Sequence, residues 1–255
     1  MKFIKLFAYS ITFCLALAAC KKHVIEPLPI SDPSGQAQIK VVYASAYTTN
    51  NAVQIKINDT RVSNNITYST PFPGGGLNTG GGSYPYYLSS NPGAIKIAIS
   101  IPKKGATNVD SISLSTNTVN VDAGKIYSIY LADTSTNTQA IIIDENITPV
   151  QGDFSRFKFV NVMPDQPSLD LYFAGELVAS NIVYKGKSTE FNLVRGAVGQ
   201  WALRVAGADP TSVPLAVYPA TGQVTIPFGR IMSVYARGYG NSTGTKAPAI
   251  SLLYN

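Results

Sequence analysis

Residues 93–101, with the sequence GAIKIAISI, decide the fold class of this chain. Isoleucine occupies every second position from 95 to 101, and smaller or polar residues lie between. Alternation with a period of two indicates a β-strand that buries one face of its sheet. Residues 201–206 (WALRVA) repeat the pattern, with Trp201 facing the predicted core. No window of about twelve residues after position 20 has the spacing of an amphipathic helix, so the sequence predicts an all-β fold.

The same sequence blocks occur twice, in the same order. The segment 53–68 (VQIKINDTRVSNNITY) aligns with 169–184 (LDLYFAGELVASNIVY), and a valine, an asparagine, an isoleucine and a tyrosine are identical. Three further pairs of blocks match: 39–42 with 157–160, 93–99 with 199–205, and 124–130 with 229–235. Because the period is about 110 residues, a duplicated domain explains the repeat better than a solenoid does.

Each half contains about seven or eight short predicted strands separated by Gly, Asn, Pro and Asp turns. Antiparallel strands of this kind, buried on one face, predict two β-sandwiches in tandem. We place the first domain at 37–150 and the second at 151–255, with the junction near residues 149–153.

The N-terminus has the pattern of a bacterial lipoprotein signal. Lys2 and Lys5 precede fourteen uncharged residues, a run shorter than the ~20 residues of a membrane span but suited to a signal peptide. The residues that follow, 17–20 (LAAC), resemble a lipobox. This predicts a signal peptide at 1–19, cleavage before Cys20, and acylation of Cys20 with palmitate or similar chains.

The segment after the signal indicates how the protein is held in the envelope. Residues 20–36 comprise the lipidated cysteine and a proline-containing spacer, which predicts a flexible tether. Lys21 gives no acidic retention signal, so we expect a lipid anchor in the outer membrane. The sequence leaves open which leaflet the protein faces, its oligomeric state, and whether the two domains pack rigidly.

The matched blocks resemble the bacterial domain of unknown function 4397. The closest stretch is Phe157 to Gly238, with LDLYFAG at 169–175 and GRIMSVYA at 229–236. The first half is similar more loosely, since Asn58 and Asp59 stand where the family prefers a glycine turn. The resemblance implies two copies of an exported, often lipid-anchored, immunoglobulin-like sandwich. The family has no established activity, so it implies a fold without a function.

The composition argues against most classes of enzyme. His23 is the only histidine, and neither of the two cysteines, Cys14 and Cys20, falls in the predicted domains. Zinc, copper and haem sites and Ser-His-Asp triads therefore lack their usual residues. The basic residues are scattered, which argues against nucleic acid as a partner despite a net charge of +6. We expect no cofactor, no metal and no catalytic activity.

One enzyme class remains open on the sequence. Fourteen Asp and Glu residues are present, and a glycosidase needs only two facing carboxylates. No pair stands in an obvious cleft motif, but spacing along the chain does not measure distance in the fold. A buried, close carboxylate pair in a cleft would favour such an enzyme.

The glycine-rich segment 73–83 (PGGGLNTGGGS) is the most distinctive local feature. It lacks the Gly-Lys-Ser/Thr of a phosphate loop, and the second half has no counterpart to it. Insertions on a rigid sandwich often carry binding sites, and tyrosine offers a large contact area with few torsions. The candidate ligand-binding residues are the aromatic residues that flank the segment: Tyr68, Phe72, Tyr84, Tyr86 and Tyr87. The alternative is a disordered loop flanked by strand tyrosines, with Tyr84 and Tyr86 on one side and Tyr87 on the other.

These observations predict a non-enzymatic, lipid-anchored cell-envelope protein that serves as a binding, adhesion or structural module of unknown ligand. One alternative is a carbohydrate-binding accessory of a surface glycan-uptake system. Another is a subunit of an envelope assembly, pairing with a protein partner through an exposed strand edge such as 251–254.

Overall fold

The computed structural model describes residues 35–47, 49, 51–104 and 110–255, and these belong to one compact unit. The predicted signal peptide, Cys20 and nearly all of the tether lie outside the described residues. Within the described ranges no helix is long and apolar enough to cross a membrane.

The described part of the chain is built from β-strands, which confirms the all-β prediction. Apart from the strands it contains two single-turn 3-10 helices, Ser135–Asn137 and Gly244–Lys246. The strands are β1 (Ala37–Tyr43), β2 (Gln54–Ile57), β3 (Thr60–Arg61), β4 (Pro71–Phe72), β5 (Gly76–Leu77), β6 (Leu88–Ser90), β7 (Gly93–Pro102), β8 (Asp110–Val121), β9 (Ile126–Ala132), β10 (Gln139–Asp144), β11 (Phe154–Asn161), β12 (Ser168–Phe173), β13 (Glu176–Val183), β14 (Phe191–Val194), β15 (Val198–Gly199), β16 (Trp201–Val205), β17 (Ala216–Tyr218), β18 (Val224–Thr225), β19 (Ile231–Arg237) and β20 (Ala249–Tyr254).

The first half is a sandwich of two sheets. Sheet A has the strand order β10-β9-β1-β4, with β6 also paired to β1, and sheet B has the order β3-β2-β7-β8. Ile95, Ile97 and Ile99 of β7 point into the core between the sheets, where they meet Ile39 and Ile129 from sheet A. The alternation at 93–101 therefore correctly identified a strand with one buried face.

The second half repeats this strand order. Sheet C has the order β14-β11-β19-β20-β5 and sheet D the order β13-β12-β16-β17, with β15 and β18 forming a separate ladder. Trp201 of β16 is fully buried between sheets C and D, and its ring lies 4.7 Å from that of Phe173 and 5.4 Å from that of Phe157. The prediction that Trp201 belongs to the core is confirmed. The junction between the halves runs from the end of β10 to the start of β11.

Each half departs from the predicted antiparallel pairing at one place. β1 runs parallel to β9, with Ile39 opposite Tyr127, and β11 runs parallel to β19, with Phe157 opposite Met232. The other strand pairs are antiparallel. A parallel pair requires a long crossover, and here the strands of the opposite sheet supply it. Hydrophobic alternation is the same in both directions, so the sequence pattern carries no information on strand direction.

Sheets A and C pack against each other, so the two halves form one stack of four sheets. Val42 and Ile141 from sheet A share an apolar cluster with Val160 and Leu253 from sheet C. The central strands of both sheets are thus buried on both faces, which explains why apolar residues occupy consecutive positions in β1, as in VVY at 41–43.

The contact between the halves is reciprocal. Lys40 and Lys158 occupy equivalent positions in the repeat, and both are buried. Lys40 Nζ donates to the backbone oxygen of Tyr254 in the second half, and Lys158 Nζ donates to the backbone oxygen of Asp144 in the first at 3.3 Å. Those two acceptors are themselves equivalent, since each ends the last strand of its half. The halves therefore meet through the same face of each.

Equivalent aromatic residues of the two halves also meet at this contact. Tyr130 and Tyr235, also equivalent in the repeat, lie with ring centroids 5.2 Å apart, and both are fully buried. A residue that touches its own counterpart is the mark of a two-fold arrangement. The halves thus resemble the subunits of a symmetric dimer joined into one chain.

The glycine-rich segment of the first half makes a further contact with the second half, and the second half has no equivalent segment. β5, formed by Gly76 and Leu77, pairs antiparallel with Leu253 and Leu252 of β20. β20 is therefore flanked by β19 on one side and by β5 on the other. The prediction that residues 251–254 offer a free edge for a protein partner is wrong, because a segment distant in sequence already covers that edge.

Candidate functional site

The five candidate aromatic residues do not form one surface. Tyr84 and Tyr86 are 61% and 56% exposed, and their ring centroids lie 5.5 Å apart with 31° between the ring planes. Tyr87, the next residue, turns the other way and is half-buried. Tyr84 and Tyr86 thus present two adjacent rings to solvent, although this segment is not itself a strand.

The other three aromatic residues are occupied by packing. Tyr68 and Phe72 lie against the core of the first half. The Arg237 guanidinium lies 5.6 Å from the Tyr68 ring centre, and burial raises the pKa of the Tyr68 hydroxyl despite this positive charge. Lys40 Nζ lies 4.3 Å from the centre of the Tyr87 ring, and the Tyr87 hydroxyl donates a hydrogen bond of 3.3 Å to Asn255 Oδ1. Tyr68 and Tyr87 thus contact the second half, Phe72 packs within the first, and none of the three is available as a binding face.

Hydrogen bonds fix the glycine-rich segment in place. Within it, Gly76 N donates to the backbone oxygen of Gly82 at 2.8 Å. Toward the second half, Asn78 Nδ2 donates to the backbone oxygen of Ile250 at 2.7 Å, and Arg237 Nη2 donates to that of Asn78 at 3.2 Å. The alternative that expected a disordered loop is wrong. Tyr84 and Tyr86 follow directly after this anchored segment.

A polar cleft of about 780 Å³ opens where the two halves meet. Its walls come from residues 124–126, 144–148 and 187–190, together with Lys158. Glu145, one of these residues, is itself buried: Lys158 Nζ lies 2.8 Å from its carboxylate, and the Ser233 hydroxyl donates to it at 3.1 Å.

A second carboxylate lies in the same cleft. Glu190 is 3.2 Å from Arg156 Nε, accepts a hydrogen bond of 3.2 Å from Asn146 Nδ2, and is 3.9 Å from Lys158 Nζ. Glu145 and Glu190 thus share one lysine. Both carboxylates are already bound by cations and hydrogen-bond donors of the protein, which is the arrangement of a structural ion-pair network.

This cleft was not predicted from the sequence. The signal that could have pointed to it is the lysine repeated at 40 and 158, each within a run of otherwise apolar strand residues. A charged residue at a buried strand position usually has a partner, but the sequence alone did not identify Glu145 as that partner. Across the described ranges, no group of His, Cys, Asp and Glu is placed to hold a metal ion.

The family model of a domain of unknown function, DUF4397, matches residues 37–172. The chain belongs to this family. The match covers the first half and ends in β12, whereas the closest resemblance was expected at 157–238, in the second half. Both halves have the same strand order and therefore the same topology. The family model itself identifies the first half as a DUF4397 domain.

Comparison with curated proteins gives no match. Among solved structures the chain is similar to the Bacillus anthracis TIE protein, at 12% identity over 80% of this chain and 34% of that one, with a TM-score of 0.22. It is similar to a streptococcal virulence factor described by its α-glucan binding, at 11% identity over 78% and 92%, TM-score 0.24.

A third similar structure is a family 26 carbohydrate-binding module of Eubacterium rectale Amy13K in complex with maltoheptaose. It is 10% identical over 83% of this chain and 97% of that one, with a TM-score of 0.21. Similarities at this level assign no function to the chain.

Proposed function

We propose that this member of the DUF4397 family is a non-enzymatic binding protein of the bacterial cell envelope, held at the outer membrane by a lipid on Cys20. Its ligand is a carbohydrate, bound on Tyr84 and Tyr86. The observation that carries the proposal is the pair of exposed tyrosine rings, 5.5 Å apart, directly after the anchored segment 73–83.

The two tyrosine rings are held in place before a ligand binds, which favours binding. Binding is favourable when the apolar face of a sugar covers an aromatic ring, because apolar surface is removed from water. Tyrosine has few side-chain torsions, so little conformational entropy is lost when its ring is fixed. The hydrogen bonds of the glycine-rich segment fix the backbone before any ligand arrives, so less ordering is required on binding. Such a platform favours neutral sugars, since it offers rings and hydroxyls.

The arrangement in the cleft supports a non-enzymatic role. General acid or base catalysis needs a carboxyl group that exchanges its proton with the substrate. Glu145 is buried against Lys158 and Ser233, and Glu190 is bound to Arg156, so both are engaged within the protein.

A second candidate function, as a subunit of an envelope assembly, is favoured by the outer face of sheet D. Leu177, Tyr172, Ala202 and Val217 lie side by side on neighbouring strands of this sheet. Leu177 is 50% exposed and Val217 39%, whereas Tyr172 is buried, so apolar side chains face solvent at the two ends of this row. Apolar rows of this kind often mark protein contacts.

The glycan proposal is tested by point variants, because replacing residues 73–83 would also remove β5. The soluble chain 21–255 and its Tyr84→Ala/Tyr86→Ala variant are screened on a glycan array and titrated with any sugar bound. We expect the double variant to lose at least about tenfold in affinity, the equivalent of ~1.4 kcal/mol. Phe228→Ala, which removes an aromatic side chain that is 57% exposed elsewhere, is the matched control and should bind normally. Binding unaffected by the tyrosine changes would contradict the proposal.

The anchor is tested separately by intact-mass analysis of the protein from bacterial membranes. We expect a mature chain that starts at Cys20 and carries acyl groups. Cys20→Ser should abolish the acyl mass and release the protein from the membrane. Cys14→Ser, within the predicted signal, should leave both unchanged.

A further inference from the structure

An apolar cavity of about 280 Å³ lies in the second half, between sheets C and D. Its inner walls include the buried side chains of Phe157, Trp201 and Met232. Tyr218 and Tyr254, both half-buried, line it nearer the surface. The described residues that line the cavity include no charged side chain.

One wall of the cavity comes from the first half. Leu77 of β5 lines it, placed there by the pairing of Leu77 with Leu252 across the edge of sheet C. The glycine-rich segment therefore does more than link the halves, since it closes a cavity that the second sandwich would leave open at this edge.

One of the residues that line the cavity carries a polar group without a hydrogen-bond partner. Trp201 is fully buried, and its indole Nε1–H makes no hydrogen bond in the described structure. A buried indole N–H usually finds an acceptor, because leaving it unpaired costs free energy. The walls around it offer apolar carbon and aromatic faces. An acceptor from outside the chain would satisfy the donor.

We propose that this cavity binds a small uncharged aromatic molecule that carries one hydrogen-bond acceptor, with Trp201 Nε1 as the donor. The volume fits this class, since an engineered apolar cavity of ~150 Å³ holds benzene and this one is about twice as large. The aromatic walls favour a ring, and the lack of charged lining residues disfavours an ion. The site is separate from Tyr84 and Tyr86 and goes beyond the glycan-binding function.

The test uses a pair of probes that differ in one group. Acetophenone has a ring and a carbonyl acceptor, and ethylbenzene has nearly the same shape without the acceptor. Trp201 is the only tryptophan, so the ¹⁵N-labelled soluble chain 21–255 gives a single indole N–H signal in a proton–nitrogen correlation spectrum. We expect acetophenone to shift this signal downfield and to bind about tenfold more tightly than ethylbenzene.

Variants assign the effect to the cavity. Trp201→Phe keeps an aromatic wall but removes the donor, and should reduce acetophenone binding, measured calorimetrically, to the level of ethylbenzene. Val224→Phe, which places a ring in the cavity, should abolish binding of both probes. Val217→Phe, on the outer face of sheet D next to Tyr218, is the matched control and should bind both normally.

Two results on the unaltered chain would overturn the proposal. If neither probe binds at its limit of solubility, the cavity is only a packing void. If both bind equally and the indole signal stays in place, the Trp201 donor does not face the ligand. Because both readings come from the wild-type protein, the test remains decisive even if a variant fails to fold. Neither result affects the glycan proposal.

Discussion

At the scale of single residues, the two equivalent lysines have unequal surroundings. Lys158 faces the carboxylate of Glu145 at 2.8 Å, whereas Lys40 faces the Tyr87 ring and a backbone oxygen. Burial therefore lowers the pKa of Lys40 to about 8, although the charge of Glu145 partly opposes the shift. Among the described residues no carboxylate contacts the Lys40 ammonium directly, so the cost of burying this charge is only partly offset.

This shift makes stability depend on pH in a defined window. Between the folded pKa of about 8 and the ordinary lysine value of 10.5, the unfolded chain binds more protons at Lys40 than the folded chain does. The free energy of unfolding should therefore rise with pH from 8 toward 10, by at most ~1.4 kcal/mol per pH unit. Urea unfolding across this range should show the rise in the wild type and not in Lys40→Met.

Tyrosines reverse the trend at higher pH. Burial raises the pKa of Tyr235 to about 12, above its ordinary value of 10.0, so the folded chain keeps a proton that the unfolded chain releases. Stability should fall above about pH 10 in both proteins. Lys125→Met, which alters an exposed lysine, is the control and should retain the rise below pH 10. Equal slopes for wild type and Lys40→Met between pH 8 and 10 would contradict the assignment.

At the scale of elements, β5 depends on glycines at positions where there is no space for a side chain. A Cβ at Gly75 would lie 1.7 Å from the backbone oxygen of Tyr84, and one at Gly76 would lie 2.5 Å from that of Leu252. Both contacts are with backbone, so the segment itself would have to move. The glycines permit three chain segments to approach more closely than side chains allow.

Gly75→Ala should therefore break the pairing of β5 with β20, which connects the two halves. We expect a loss of at least about 2 kcal/mol in the free energy of unfolding, because the added methyl group overlaps a backbone atom. Gly82→Ala is the matched control within the same segment, since its Cβ would meet nothing closer than 3.6 Å and should change stability by less than ~0.5 kcal/mol. Denaturant unfolding of both variants provides the comparison. Similar stabilities for the two would show that β5 contributes little.

The sequence predicted the elements that depend on alternation and missed those that depend on distant partners. The strand at 93–102 and the strand that begins at Trp201 follow from periodicity alone. β5 has two residues, one of them glycine, and exists because β20 offers an edge. The Tyr84–Tyr86 pair was foreseeable from its alternation with Tyr87, whereas the cavity behind Leu77 was not, because its walls come from both halves of the chain.

At the scale of the whole molecule, the stack of four sheets implies that the two halves are one cooperative unit. The apolar cluster between sheets A and C includes Val42 and Tyr130 from the first half and Val160 and Tyr235 from the second. β5 adds a hydrogen-bonded link at the edge. Repeats in sequence indicate duplication, but only the doubly buried strands of sheets A and C indicate that the copies pack face to face.

Cooperativity can be measured with a probe in one half and a change in the other. Ile97 is fully buried in the core between sheets A and B, away from the contact with the second half, and Trp201 lies in the second half. If the halves unfold together, Ile97→Ala should lower the stability reported by Trp201 emission by about 2–4 kcal/mol, the usual loss for such a cavity. Ile112→Ala, at a side chain that is 55% exposed, should leave the midpoint unchanged. A Trp201 transition that does not move in Ile97→Ala, while circular dichroism reports a second and earlier transition, would mean that the sandwiches unfold independently despite their shared interface.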